Sequence, residues 1–239
     1  MRKVLPFLAA ALLAGAMARG GEESLPKIDV GLDVGSADNK VWTTVYFQPY
    51  ASIYRHEKGF DWEFKFKGFN TLRKDFSDDG EDAKGKMYGW EARLLAGWGW
   101  KLGKTWNLSA LGGFSYDFFQ QEEFFETTEI KQRFHDSVTA FDVGLRLSGK
   151  LSDKLEWVSE VTGGPVIGGS AKIEGAAALP TEVGHGHLIE ARTGLNWRLT
   201  DYTALHAGAV YEKRHVGLTD GAEDTLSRYA LDLGFVFKF

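Results

Sequence analysis

The chain contains no cysteine. This absence excludes disulfides, thiolate metal sites, cysteine catalysis and the cysteine-linked lipid anchor of lipoproteins. Beyond the amino terminus there is also no run of about 18 apolar residues, which excludes a membrane-spanning α-helix. An excess of positive charge is missing as well, and the net charge of −5 argues against a nucleic-acid partner.

The first eighteen residues have the pattern of a secretory signal peptide. Arg2 and Lys3 form a basic start, residues 4–13 are mostly apolar, and residues 16–18 form a small-x-small cleavage site. The alternative is a membrane anchor, but the apolar run is too short to cross about 30 Å of hydrocarbon. We therefore expect residues 1–18 to be removed and residues 19–239 to form a single domain.

Alternation of apolar and polar residues predicts ten strands in this domain. They lie near residues 27–36, 41–54, 60–67, 88–100, 106–118, 141–148, 155–167, 189–199, 205–212 and 227–239. The second is the most ambiguous, because Pro49 cannot donate to a ladder, and the seventh is crossed by Gly163, Gly164 and Pro165. The mean hydropathy of −0.25 alone suggests a soluble protein, but a membrane barrel shows lipid only every second residue.

The final segment, SRYALDLGFVFKF, alternates most strictly and ends the chain on phenylalanine. This pattern resembles the terminal strand of bacterial outer-membrane β-barrels, in which a final phenylalanine is the assembly signal. The resemblance implies that Phe235, Phe237 and Phe239 form that signal here. A soluble β-sandwich is the alternative.

The lengths of the predicted connections favour the barrel. Short polar turns at 55–59, 101–105, 149–154 and 201–202 alternate with long polar segments at 69–86, 120–133, 169–186 and 214–226. A barrel with both termini in the periplasm has this asymmetry. We therefore predict an all-β protein of the outer membrane. It is a closed antiparallel transmembrane β-barrel of about ten strands (range 8–12), with short periplasmic turns and long extracellular loops.

Six of the eight tryptophans lie near the short turns: Trp62, Trp98, Trp100, Trp106, Trp157 and Trp197. Indole rings prefer the membrane–water interface, so we expect these side chains to form an aromatic girdle on the periplasmic side. A second set would form the opposite girdle: Tyr88, Trp90, Phe118, Tyr211 and Tyr229.

The polar faces of the strands would line the lumen. Candidate channel residues are Asp61, Glu63, Lys65, Glu91, Arg93, Asp142, Arg146, Glu190, Arg192, Arg198, Arg228 and Asp232. Their signs are nearly balanced, which leaves two interpretations open. Opposite charges form a salt-bridged plug, or they line a narrow aqueous channel for ions. Ten strands leave a bore well below that of the 16-stranded porins.

Catalysis is a weaker hypothesis. The omptin proteases are ten-stranded outer-membrane barrels, and Asp78, Asp79, His185 and His187 supply similar side chains in long loops. However, no Asp-x-His motif of the omptin kind occurs, nor a His-x-Ser pair of the lipid A deacylase kind. Glu182 with the two histidines is a weak metal signal that most often marks a polar loop. We predict no catalytic residues, no metal and no cofactor.

The sequence thus predicts a non-enzymatic outer-membrane barrel, either structural or a narrow porin-like channel for ions and small solutes. The alternative is a surface adhesin that acts through its loops, and an omptin-like hydrolase is the least favoured. Expected partners are outer-membrane lipids and lipopolysaccharide, with the barrel-assembly machinery and periplasmic chaperones during biogenesis.

Overall fold

The computed structural model describes residues 26–56, 58–78, 80–174, 181–219, 221 and 223–238. The predicted signal peptide, Asp79 and Phe239 lie outside this part. Among the described residues, no helix is long and apolar enough to span a membrane. They form eleven antiparallel strands: β1 (Lys27–Asp38), β2 (Thr43–Arg55), β3 (Gly59–Thr71), β4 (Lys74–Asp78), β5 (Glu81–Leu102), β6 (Trp106–Phe125), β7 (Lys131–Lys150), β8 (Leu155–Glu174), β9 (Thr181–Arg198), β10 (Thr203–Leu218) and β11 (Glu223–Lys238).

Ten of the strands close into a ring. β1 pairs with β11 along its whole length, from Lys27 opposite Lys238 to Asp38 opposite Ser227. β3 pairs directly with β5, and the other neighbours follow chain order. β4 lies outside the ring, because it pairs only with the outer part of β5. The predicted closed antiparallel barrel of about ten strands is confirmed.

The two faces of the wall have inverted polarity compared with a water-soluble protein. Along β11, the outward side chains are large, apolar and exposed: Tyr229, Leu231, Leu233, Phe235 and Phe237. The inward neighbours Arg228 and Asp232 are buried. Since charged groups avoid an apolar interior unless they are paired, this arrangement is stable only when hydrocarbon covers the outside.

The strands are longer than a membrane crossing requires. β5 contains 22 residues and β6, β7 and β8 contain 20 each, whereas a crossing needs about 9–11 residues. The segments predicted as long loops are therefore mostly strand in the part of the chain that the structure describes. We call the end of the barrel with these extensions the outer end. The inner end holds Lys27, Lys238 and the four short turns.

The ladder adapts to the two proline positions that made the sequence ambiguous. Between β2 and β3, pairing skips from Phe47–Asn70 to Tyr50–Lys67. Pro49 therefore has no partner on β3, and its lack of an N–H group breaks no hydrogen bond there. In β8, the register with β7 shifts near Pro165, between Thr139 and Ala140. Both strands nevertheless complete the wall.

Candidate functional site

Ion pairs between Glu190 and basic side chains of other strands cross the centre of the lumen. Glu190 lies on β9, five positions from β3 in the ring of ten and therefore on the opposite wall. Its carboxylate accepts hydrogen bonds from the Nζ of Lys65 at 3.0 Å and of Lys67 at 2.6 Å. The guanidinium of Arg93 on β5 lies 3.2 Å away, and that of Arg192 lies 3.5 Å away. The two sides of the bore therefore meet at this carboxylate.

A second bridge lies nearer the inner end. Arg146 on β7 forms ion pairs with Glu63 on β3 and with Glu160 on β8, where Nε donates to Oε2 at 2.5 Å. Arg146 also lies over the ring of Tyr54, 5.3 Å from its centroid. This guanidinium therefore occupies the space between β2, β3 and β8.

A third bridge joins β2 to β10 and β11. Gln48 donates to Asp33 at 3.0 Å and to Glu212 at 2.9 Å, and it accepts from Arg228 at 2.8 Å. Arg228 also pairs with Glu212 at 2.8 Å. Each residue of this cluster is buried. Buried charges are costly unless they are paired, and here the charged groups are paired with one another or with Gln48.

The outer end of the lumen is closed by a charged layer and an apolar layer. Arg214 pairs with Asp117 at 2.7 Å, with Asp224 at 2.8 Å, and with Asp136. Two apolar clusters share Phe134 as a neighbour. Their buried members are Ala37, Trp42, Tyr46, Phe69, Met87, Phe119 and Leu226 in one, and Val138, Ala140, Ala171, Leu188, Val216 and Leu218 in the other.

The inner end is open. A recess of about 350 Å³ is lined by basic side chains, including Lys150, Lys154, Arg198 and Lys238. It shares His56 and other lining residues with a smaller cavity of about 50 Å³, which reaches Lys65 and Arg192 beside the central ion pairs. The interior therefore narrows from the inner end toward the bridges on Arg146 and Glu190.

Aromatic side chains lie on the outside of the barrel near its inner end. Trp98, Trp100 and Trp197 point outward and are exposed near the short turns. Close by, the rings of Trp106 and Trp157 meet edge to face at 5.6 Å. These positions match the predicted periplasmic girdle, whose role at the interface stays a prediction.

The fold has clear counterparts among solved structures. The outer-membrane protease OmpT from Escherichia coli aligns with a TM-score of 0.64 and 10% identity, over 90% of this chain and 96% of that one. The translocator domain of the autotransporter NalP from Neisseria meningitidis aligns with a TM-score of 0.51 and 14% identity, over 98% and 97%. The chain folds as an outer-membrane β-barrel. No family model and no curated protein matches the sequence, so the likeness is one of fold.

In this outer-membrane barrel, the predicted lumen charges lie on the inward face of the strands, as the two-residue alternation predicted. All of the twelve except Arg198 take part in the ion pairs and hydrogen bonds of the interior. Arg198 lines the recess at the inner end instead. Whether these groups carry ions remains a prediction.

Several interior residues of the barrel were missed by the sequence reasoning. Tyr46, Gln48 and Tyr50 come from β2, the most ambiguous strand, and the hydroxyl of Tyr50 donates to Asp232 at 2.9 Å. Their alternation from Thr44 to Tyr54 was the available signal. The sequence pattern predicts a long loop at Arg214, but this residue lies within β10 and points inward.

One buried contact contains the residue types of a hydrolase. His56 Nδ1 lies 2.8 Å from Asp61 and 2.9 Å from the hydroxyl of Ser109, which also donates to Asp61. In a catalytic relay, the carboxylate and the hydroxyl form hydrogen bonds with different nitrogens of the imidazole ring. Here both meet Nδ1, so the geometry is that of a closed hydrogen-bond ring and not of a relay.

The residues that resemble an omptin site and that the structure describes lie on different strands. Asp79 lies outside the described part of the chain, and Asp78 ends β4. His185 and His187 are on β9, and their rings pack beside His215 at centroid distances of 5.9 and 5.2 Å. The structure therefore groups the two histidines with a third histidine that the sequence reasoning did not connect to them.

Proposed function

We propose that the protein is a non-conducting outer-membrane barrel. Its role is to be a structural component of the outer membrane, and it is not a diffusion channel. The observation that carries this proposal is the contact of Lys65 and Lys67 with Glu190 across the full width of the bore. A porin-like channel would instead leave the two walls separated by water.

The physical reason is the cost of separating these charges. Glu190 is 2% exposed, and its cationic partners are similarly buried. Opening a path would leave desolvated charges without partners, which costs several kcal/mol for each broken buried pair. At the outer end an ion would also have to pass the apolar layer around Phe119, and such constrictions exclude water.

Single-channel recording in planar bilayers tests the proposal. We expect the purified barrel to insert and give no conductance steps over the accessible voltage range, because the ion pairs stay closed. Protease protection in vesicles, together with migration on unheated gels, should demonstrate insertion of the folded barrel. Regular steps whose size changes in Arg192→Gln, but not in Lys104→Gln on an exposed turn, would overturn the proposal and support the channel.

A second candidate function, surface interaction, is favoured by the outer extensions. They carry a recess of about 280 Å³ lined by Arg73, Lys84, Lys86 and Lys131, together with Glu122, Glu123 and Phe124. Basic groups near the outer leaflet suit anionic partners such as lipopolysaccharide phosphates.

Shortening the β6–β7 extension tests this candidate. We expect the barrel to stay folded and silent when residues 122–133 are replaced by a two-residue turn, because the membrane-spanning pairs remain. If the extensions bind partners, cells that display the shortened protein should attach less to a cell monolayer. Unchanged attachment would reject the adhesin.

Two further roles belong to the proposal. Phe235 and Phe237 lie exposed on the outward face of the closing strand, where an assembly factor can reach them, and we retain them with Phe239 as the assembly signal. The proposal includes no catalytic activity, since the contact of His56, Asp61 and Ser109 is not a relay.

A further inference from the structure

Three histidines share the outward face of β9 and β10 near the outer end. His187 lies opposite His215, and His185 lies opposite Gly217, one step farther out. Inward residues on the same strands, such as Glu190 and Glu212, are buried in the lumen. The histidines therefore have the opposite parity and face the exterior of the barrel.

Gly217 allows groups from the two neighbouring strands to approach each other. It pairs with His185 on β9 and with Glu223 on β11, so it lies between them in the sheet. The imidazole of His185 lies over Gly217, where an added Cβ would be only 2.3 Å from its Cε1. The absence of a side chain at this position thus leaves the space that His185 fills.

One ligand atom from each of His185, His215 and Glu223 lies within 4.8 Å of the others. Bonds of about 2.0–2.2 Å place two ligands of one metal ion roughly 3–4 Å apart, so small side-chain rotations are enough to bring these atoms to a common ion. Two imidazoles with one carboxylate form a donor set that suits zinc and related divalent transition metals.

The orientation of His215 supports this use. Its Nδ1 lies 3.0 Å from the hydroxyl of Thr225, a buried residue directly opposite on β11. A hydrogen bond at one ring nitrogen fixes the ring and leaves the other nitrogen as the ligand, as in many metal sites. His215 is therefore held by its strand neighbour with Nε2 available.

The position is accessible from outside the cell. His215 follows Tyr211 by four residues, and the ring of Tyr211 packs on Tyr229 at 4.9 Å at the outer end of the apolar band. His185 and Glu223 are exposed. The group thus lies beyond the apolar band, in contact with the external solution.

We propose that His185, His215 and Glu223 bind one divalent transition-metal ion, such as Zn²⁺, on the outer surface of the barrel. His187 packs beside His215 and forms the edge of the site. This function does not depend on whether the lumen conducts.

Calorimetric titration of ZnCl₂ into the untagged, refolded barrel tests the proposal. We expect one site per chain. His185→Asn, His215→Asn and Glu223→Gln should each weaken binding by at least about tenfold, since even the loss of an outer-sphere partner weakens metal binding by about 10–100-fold. Gly217→Val should weaken it as well, because valine would displace the ring of His185. His135→Asn, at an outward histidine of β7, is the matched control and should bind like the wild type.

Folding of each variant is checked by its migration on unheated gels. No saturable zinc binding by the wild type, or equal binding by the folded His185→Asn/His215→Asn double variant, would overturn the proposal. X-ray absorption of the zinc-loaded wild type decides the matter where a variant does not fold. Scattering from two imidazoles supports the site, and a shell of oxygen ligands alone contradicts it.

Discussion

Replacement of Glu190 by glutamine is expected to destabilise the barrel by about 3–5 kcal/mol. Glutamine keeps the shape of the side chain but removes its charge, and Lys65, Lys67 and Arg93 would then lack their common anion. These cations are buried and cannot return to water without opening the wall. Urea unfolding in phospholipid vesicles, followed by tryptophan fluorescence, measures the change.

The matched control is Glu182→Gln, an exposed position on the same strand. It should change the free energy of unfolding by no more than about 0.5 kcal/mol. Adding Lys65→Met to Glu190→Gln should recover part of the loss, because the other carboxylates near the Nζ of Lys65, those of Glu63 and Glu160, lie 3.6 and 3.8 Å away and compensate its charge poorly. If Glu190→Gln unfolds like the control, the centre of the lumen is hydrated, and the case for a closed bore fails.

The membrane-spanning part of the wall could be predicted because hydrocarbon imposes a strict rule on one face. From Tyr229 to Phe237, each outward residue is large and apolar, and the two-residue period is therefore visible in the sequence. The same rule assigned Glu190 and Arg93 to the interior. The odd or even position of a residue along its strand was enough for these predictions.

The outer extensions could not be predicted in the same way. Beyond the membrane both faces of a strand meet polar surroundings, so Gln120, Gln121, Glu122 and Glu123 show no alternation although they lie within β6. Their ladder with β5 and β7 is made by backbone groups, which leave no mark on the side-chain pattern. The sequence of this segment therefore predicts a loop.

Contacts across the barrel also depend on information that a local pattern lacks. Lys67 and Glu190 are 123 residues apart, and they meet because ring closure places β3 and β9 on opposite walls. His185 meets His215 and Glu223 only through the register of β9, β10 and β11 at Gly217. The sequence supplied the chemical groups, and the closed ring determined their partners.

Closure itself provides the second large prediction: Gly35→Val is expected to prevent the barrel from folding. Gly35 lies opposite Ala230 in the seam between β1 and β11. A Cβ at this position would lie 1.8 Å from the carbonyl oxygen of Tyr229, a backbone atom that cannot rotate away. Relief requires the two strands to separate, at a cost above the roughly 1–3 kcal/mol typical of overpacking.

The fraction of refolded protein that migrates as the compact form on unheated gels measures this effect. Ser36→Val is the control, since the next residue points outward, and a β-branched side chain suits that face of the strand. We expect Ser36→Val to fold like the wild type. Normal folding of Gly35→Val would show that β1 and β11 pair in a different register. An open seam exposes two unpaired strand edges to other chains, and so the glycine variant should also aggregate during refolding.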